Sequence, residues 1–390
     1  MRPRTFANSP PLSTKSSSVR CVPIPASGSG CTTDGRSRRR RRRMPGSAPE
    51  RILIVKLSAI GDVLMATPVA RALRQAFPDS FIAWAVERKS ADVVIGNPYL
   101  DEVIVWDRVK RGSMVADAAR FIGSLWGLRR ELRSRRFDVS VDLQGLLRSA
   151  GVCLASGAKR RIGFADGAEG SVHIYTERYD PGGDEINAQQ RNLNLLKALG
   201  VNSTDTSMYM PIGDDDRDFA ARFFAENGLD GRKVVAFCPA TTWVNKHWTP
   251  EGWRGVADLV GRQYDASCLI LGSKADVALA QRIADAAEFK PVISAGRTTL
   301  KQAGALMEKC AVVIGVDTGL LHMAVALDRP SVGLFGASAW RCFLKKDNFV
   351  WVAKDFHCSP CRRHPTCSNI DCMQAITPAD VDEAVRRWLE

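Results

Sequence analysis

The stretch from Gly315 to Gly336, G-V-D-T-G-L-L-H-M-A-V-A-L-D-R-P-S-V-G-L-F-G, limits what this chain can fold into more than any other. Ala311 to Ile314 ahead of it is a continuous apolar run, the mark of a strand covered on both faces. Asp317-Thr318-Gly319 breaks that run, and Leu320 to Leu327 follows with helical spacing and no Gly or Pro. Asp328-Arg329-Pro330 is a turn, and Ser331 to Phe335 reads as a second buried strand. In a strand, helix, strand unit of this kind, the loop at the strand's carboxyl end aims the helix's free N–H groups outward, where they suit a phosphate or another anion. Thr318 brings a hydroxyl, Gly319 lets an anion approach the backbone, and His322, one turn on, points back toward the same ligand. An ordinary helix capped by Asp317 or Thr318 fits the same residues, and the stretch alone leaves both readings open.

The alternation that this unit exemplifies runs through the chain. Arg51 to Lys56 is a short buried strand, and Leu57 to Asp62 is a turn into a helix through Leu64, Ala72 and Leu73. The turn lacks the Gly-x-Gly-x-x-Gly spacing, which disfavours a dinucleotide site. It offers Asp62 instead, a carboxylate at a strand's carboxyl end with Lys56 close behind, suited to a general base or simply to a helix cap. Phe81 to Val86, Glu102 to Trp106 and Asp138 to Leu143 read as further strands, and Met114 to Arg133 as a long helix with a basic end. Arg148 and Arg161 fall near strand ends, where they would meet an anionic substrate or form a solvated basic face. Ile186 to Leu199 reads as an amphipathic helix, and Gly200 to Gly213 as the link between two domains.

Beyond the link the alternation resumes with Val234 to Cys238. Thr241, Thr242 and Lys246 in the loop that follows form a second phosphate grip. Ser267 to Leu271 is the next strand, and Asp276 after it would accept from a ribose hydroxyl or cap a helix. Strands alternating with helices make an open, mostly parallel sheet in each half. Two phosphate-friendly loops in one sheet, with a carboxylate in the other, describe a ligand held between domains.

At 390 residues the chain is too long for one core, so two domains plus an appendage are expected. Its 45% hydrophobic and 25% charged residues suit a globular protein, and no apolar run is long enough to span a bilayer. The net charge of +13 invites a nucleic-acid partner, but residues 1–49 hold eleven basic groups against Asp34 alone, which is +10 and leaves +3 for the rest. A body so near neutrality has no built-in footprint for a polyanion. The first 49 residues lack hydrophobic periodicity and are expected to be disordered. Arg38 to Arg43 would be a nucleic-acid or membrane-surface tail, part of a transit peptide, or sequence upstream of a true start at Met44, which is the reading adopted here. The eleven cysteines form no even framework and read as reduced thiols of a cytoplasmic protein. Cys358-x2-Cys361-x5-Cys367-x4-Cys372, near His357 and His364, is either a zinc or iron-sulfur site or a reduced structural loop; the second pair lacks the usual C-x-x-C spacing.

Three motifs, V-K-L-S-A-I-G-D-V-L (Val55 to Leu64), T-T-W-V-N-K-H-W (Thr241 to Trp248) and G-V-D-T-G-L-L-H (Gly315 to His322), resemble glycosyltransferase family 9 in order and approximate spacing. This is the ADP-heptose:lipopolysaccharide heptosyltransferase family, and Lys246-His247-Trp248 is most similar to its heptosyltransferase I members. The resemblance implies an α/β GT-B architecture, two Rossmann-like doubly wound domains facing a central cleft. It divides the chain into a basic extension (1–49), an acceptor-side domain (50–205), a nucleotide-sugar domain (206–376) and a final helix crossing back to the first domain (377–390). It implies Asp62 as catalytic base, and Lys56 and Arg148 on the acceptor side. Thr241, Thr242, Lys246, Asp317, Thr318, Gly319, Leu320 and His322 would hold the donor, Lys246 also acting in catalysis. Asp276 and Thr298 match more loosely, near the ribose and by counting back from Asp317.

The implied reaction is inverting transfer of heptose from ADP-heptose to the lipopolysaccharide inner core (Kdo or heptose), without a metal or other cofactor. No Asp-x-Asp stands at a strand end, and Asp214-Asp215-Asp216 falls in the expected link. Lipid A–Kdo or core lipopolysaccharide would be the partner, met by peripheral contact with the inner membrane and without nucleic acid. Another nucleotide sugar or acceptor is the alternative within the class, and a nucleic-acid binder working through the arginine run, or a metal-carrying scaffold, the alternative outside it. Sugar, acceptor residue and oligomeric state are not fixed by these motifs.

Overall fold

The computed structural model describes residues 22–23, 48–107, 126–183, 186–338, 346–361, 367 and 369–390. The Arg38 to Arg43 run, the first half of the expected helix from Met114, and His364 lie outside the described residues.

The first half contains strands β1 (Val22–Pro23), β2 (Arg51–Val55), β3 (Phe81–Glu87), β4 (Glu102–Trp106), β5 (Val139–Asp142), β6 (Arg160–Phe164) and β7 (Glu177–Tyr179). Its helices are α1 (Ile60–Leu64), α2 (Pro68–Ala76), α3 (126–134), α4 (Leu147–Ser156) and α5 (Ala188–Asn194). The second half contains β8 (Val234–Cys238), β9 (Ser267–Ile270), β10 (Val292–Ile293), β11 (Val312–Val316), β12 (Ser331–Phe335) and β13 (Phe349–Ala353). Its helices are α6 (Asp214–Glu226), α7 (Pro250–Tyr264), α8 (Val277–Ala286), α9 (Leu300–Glu308), α10 (Gly319–Ala326), α11 (Asp371–Gln374) and α12 (Pro378–Leu389).

Both sheets have one plan. Strand order is β1-β7-β6-β5-β2-β3-β4 in the first and β10-β9-β8-β11-β12-β13 in the second, and every pairing is parallel except that of β1 with β7. Apart from the short edge strand β1, each half therefore starts in the middle of its sheet, adds two strands to one side, then reverses and adds the rest to the other. That is the doubly wound Rossmann order, and the fold is the expected GT-B α/β arrangement. Ile52, Leu53, Ile54 and Val55 of β2, and Val312, Val313, Ile314 and Val316 of β11, are inaccessible to solvent, as strands covered on both faces must be. The reversal leaves a crevice at the strands' carboxyl ends, between β2 and β5 in one sheet and between β8 and β11 in the other.

Three elements differ from the sequence reading. The expected helix from Ile186 to Leu199 is α5 followed by a 3-10 turn at Leu195–Leu199, closed by Gly200 at φ 75°. Asp214, Asp215 and Asp216 lie in the first turn of α6, where three carboxylates meet the helix's positive end, and not in a link. The final helix, α12, does not cross back: its stripe Val381, Val385 and Leu389 joins Trp253, Val256 and Val260 of α7 in one cluster of the second half. Tyr264 donates to Asp382 (2.6 Å) and Lys354 to Asp380 (2.8 Å), tying α12 to that half.

Candidate functional site

In the first sheet, the loop after β2 carries Lys56 and leads into α1, whose third residue is Asp62. The Lys56 ammonium donates to the Leu143 carbonyl (2.8 Å), and the Leu57 amide donates to Gln144 Oε1 (2.9 Å). The crevice between β2 and β5 is thus stitched at its mouth. Asp62 is exposed, one oxygen accepting from the Ala59 amide at 3.1 Å while Oδ1 meets no donor among the described residues. Burial lowers the Lys56 pKa, opposed by the negative charges of Asp62 and Asp142. Asp142 lies beneath, fully buried; burial raises its pKa, while the Gln144 and Gly145 amides and the Tyr175 hydroxyl donate to it.

Lys56, Asp62, Gln144, Arg191 and Asn192 line one pocket of about 200 Å³ with Met65, Leu143, Phe164 and Ala188. Arg148 stands beside this group rather than in the pocket wall: its guanidinium reaches Ser58 Oγ (2.9 Å) and Glu87 (3.4 Å), and its buried Nε has no partner among the described residues. Arg161 lies at the amino end of β6, bonded to the Ile174 and Ala158 carbonyls, and so at the opposite end of the strand from the crevice and the anionic substrate it was expected to meet.

The second sheet repeats the construction. Thr241, after β8, donates to the Asp317 carbonyl oxygen (3.1 Å), and Lys246 pairs with the Asp317 carboxylate (2.5 Å) after β11. Ser338 donates to the same oxygen (2.5 Å), and His322 Nε2 lies 3.2 Å from the other. Burial alone would raise the Asp317 pKa, but the hydrogen bonds and charges of His322 and Lys246 hold it well below the usual carboxylate range. Trp243 covers Lys246, whose Nζ lies 4.0 Å from the ring centroid, and His247 Nε2 lies 2.8 Å from the Thr241 carbonyl oxygen.

Thr318 occupies the N-cap of α10, yet no side chain among the described residues caps that helix, since the Asp317 oxygens are turned to Lys246, Ser338 and His322. The first amides of α10, from Gly319 and Leu320, thus have no capping side chain among the described residues, at the end of the helix that meets α1. Thr242 is exposed on the same loop as Thr241, while Asp276 accepts from the amide and hydroxyl of Ser273 (both 2.7 Å) across the 3-10 turn Lys274–Asp276 and does not cap α8, the helix from Val277. Thr298 is half-buried just ahead of Thr299, which caps α9.

The two crevices face each other. A Cβ added to Gly319 would lie 2.9 Å from Ile60 Cγ2, and one added to Gly61 would lie 2.6 Å from His322 Cδ2. The helix carrying Asp62 therefore touches the helix carrying the open amides. Gln144, Arg191, Asn192 and Ser338 were not singled out from sequence. Gln144 follows a strand that was recognised, so its place was readable; the other three are placed by tertiary packing alone.

Among the described residues no group of three or more His, Cys, Asp or Glu side chains is arranged to hold a metal ion. Cys358, Cys361, Cys367 and Cys372 are free thiols. Asn245 donates to Cys361 (3.6 Å), and Cys372 is buried against Gly336.

The profile of Glycosyltransferase family 9 (heptosyltransferase) matches residues 125–370. Lipopolysaccharide heptosyltransferase 1 of Salmonella typhimurium is 29% identical over 289 residues, spanning 73% of this chain and 88% of that protein. Among solved structures, a glycosyl transferase family 9 protein from Veillonella parvula superposes with a TM-score of 0.75 at 24% identity, covering 87% of this chain and 97% of that one. E. coli heptosyltransferase WaaC with ADP-2-deoxy-2-fluoro heptose superposes with a TM-score of 0.65 at 22% identity, covering 86% of this chain and 99% of that one. With the match extending over most of the chain and both crevices inside the shared fold, this glycosyltransferase is a member of glycosyltransferase family 9, the heptosyltransferases.

Proposed function

We propose that the chain transfers heptose from ADP-heptose to the inner core of lipopolysaccharide, inverting the anomeric carbon and using no metal. The contact of α1 with α10 carries this reading, because it brings a carboxylate with a free oxygen next to uncapped helix amides and a lysine. Relatives named lipopolysaccharide heptosyltransferase 1, and a neighbour solved with an ADP-heptose analogue, support this donor and this class of acceptor.

The donor diphosphate would lie against Lys246 and the Gly319 and Leu320 amides, with Thr241, Thr242, Thr318 and His322 around it. Asp276 and Thr298, on the neighbouring loops, would border the nucleoside. The acceptor would enter the pocket of Lys56, Gln144, Arg191 and Asn192, with Arg148 at its edge. Its hydroxyl oxygen attacks the anomeric carbon while its proton passes to Asp62 Oδ1. The bond from that carbon to the diphosphate oxygen breaks, and its electron pair leaves with ADP. Negative charge grows on the leaving oxygen, so Lys246 and the amides stabilise the transition state more than the bound donor. Asp317 positions Lys246 and would itself repel the diphosphate unless its charge were offset by Lys246 and His322.

A panel of ADP-, UDP- and GDP-sugars, with and without a lipid A–Kdo acceptor, tests donor and acceptor together. Transfer from ADP-heptose to that acceptor is expected, and turnover of another donor in its place removes this assignment. Asp62→Asn keeps the hydrogen bond from Ala59 but not the base. Transfer should fall by about a hundredfold or more, with ADP affinity within a few-fold of the parent. Turnover near the parent rate would sink the role of Asp62.

A further inference from the structure

The helices that cover one face of the first sheet expose large apolar side chains on their outer side. Leu128 and Leu132 of α3, and Val152 and Cys153 of α4, pack in a single cluster on the side of β2 and β3 opposite the one that joins the two halves. The end of α3 abuts the end of α4, where a Cβ on Gly157 would meet the Arg133 guanidinium at 3.5 Å, so the helices lie side by side. Both outward stripes are unusual. On α4 the stripe is Leu147, Gly151 and Leu154, with the two leucines 50% and 51% exposed and open space over the glycine. On α3 it is Trp126, Arg130 and Arg133, with Trp126 65% exposed and Arg129 over its ring at 5.8 Å.

No carboxylate among the described residues pairs with Arg129, Arg130 or Arg133. The nearby acids are engaged elsewhere, Glu131 with Arg135 and Glu169 with the Leu147 amide. An aromatic ring, two leucines and a row of unpaired arginines form a surface that is apolar and cationic at once. A protein surface exposing large apolar side chains costs solubility unless they meet an apolar phase, and the arginines specify that this phase carries negative charge at its boundary.

The geometry points to this α3/α4 face as the seat of the protein on an anionic lipid bilayer, with Trp126, Leu147 and Leu154 entering the headgroup layer and Arg129, Arg130 and Arg133 pairing with lipid phosphates. The orientation agrees with the proposed chemistry, on which the choice of a lipid-linked acceptor rests. Leu147 begins α4 at the carboxyl edge of the sheet, three residues after Gln144, which lines the acceptor pocket. A sugar whose anchor sits in the bilayer would then enter that pocket from the membrane side.

Flotation of the full chain with phosphatidylcholine vesicles, with and without phosphatidylglycerol, measures the seat with no substrate present. Binding to the anionic vesicles is expected, weakening with salt, together with slowed amide exchange in 126–134 and 147–156. The double variants Leu147→Ser/Leu154→Ser and Arg130→Gln/Arg133→Gln should each bind about tenfold more weakly, while transfer to a delipidated, water-soluble acceptor stays at the parent rate. The N-terminal arginine run is common to parent and variants, so only the α3/α4 face differs between them. Variants that bind like the parent, or vesicles that leave exchange in these helices unchanged, overturn the proposal. Slowed exchange that instead follows protein concentration without lipid would assign the face to a second copy and overturn it equally. Failure of transfer with vesicle binding intact would count against the proposed reaction and not against the seat.

Discussion

Asp317 has both oxygens committed, one to Lys246 and Ser338 and the other to His322. With Lys246 and Asp317 side chains each 14% exposed, the pair is largely out of water, so removing one charge strands the other. Asp317→Asn should cost about 2 to 3 kcal/mol, somewhat less than for a fully dry pair. The dependence on pH gives the test its sign. The folded carboxyl titrates below its ordinary value of 3.8, so its contribution is complete above that value and is lost as pH falls through the folded pKa. Urea unfolding of parent and Asp317→Asn should therefore differ most at neutral pH and converge as pH drops below 3.8. A difference that stays constant through that range would mean that Asp317 is held by shape and not by charge. Asp317 was legible in the sequence as a loop residue between strand and helix, but not as the hub of a donor network, because Ser338 reaches it from after the next strand.

At the level of elements, what the sequence showed and what it hid divide by distance along the chain. β2, β8, β11 and β12 were readable as unbroken apolar runs, and α10 as the helix after Asp317-Thr318-Gly319, since each is specified by neighbours in sequence. Which face a helix presents is specified by partners elsewhere. Hence α5 read only as amphipathic, although Arg191 and Asn192 line the pocket, and α12 was expected on the wrong half, although its Val381, Val385 and Leu389 stripe complements α7. The meeting of α1 and α10 is of this kind, and it depends on two residues without side chains. Because a Cβ at Gly61 would lie 2.6 Å from the His322 ring, Gly61→Ala must move α1, α10 or the imidazole that Asp317 holds. Such a shift changes alignment more than donor binding, so kcat should fall about tenfold or more while ADP affinity changes by a few-fold. An alanine variant with unchanged kcat would show that the two helices do not meet this closely during transfer.

Across the whole molecule, two sheets share one apolar cluster. Ile52, Trp84 and Val141 of the first half are continuous with Val234, Leu269 and Val313 of the second through Val201, Met208 and Met210 of the connecting segment. That segment is fastened to the first half as well: the Tyr209 amide donates to Thr67 Oγ1 (2.9 Å), and Arg71 pairs with Asp205 (2.9 Å). Lys301 of α9 reaches across to the Ile95 carbonyl oxygen at 2.8 Å. Two domains joined only by a flexible tether would open independently, whereas a shared core makes the loss of one expose the apolar surface of the other. Amide exchange should then report the same opening free energy in β2 and β11, the centres of the two sheets. A ligand strengthens this test, because ADP on the proposed reading touches the second half. At a hundred times its Kd it stabilises the native state by about 2.7 kcal/mol, and a coupled molecule passes that gain in full to β2, which ADP need not touch. Protection that rises in β11 while β2 is unmoved would separate the halves energetically and leave the cleft to be closed by ligand contacts alone.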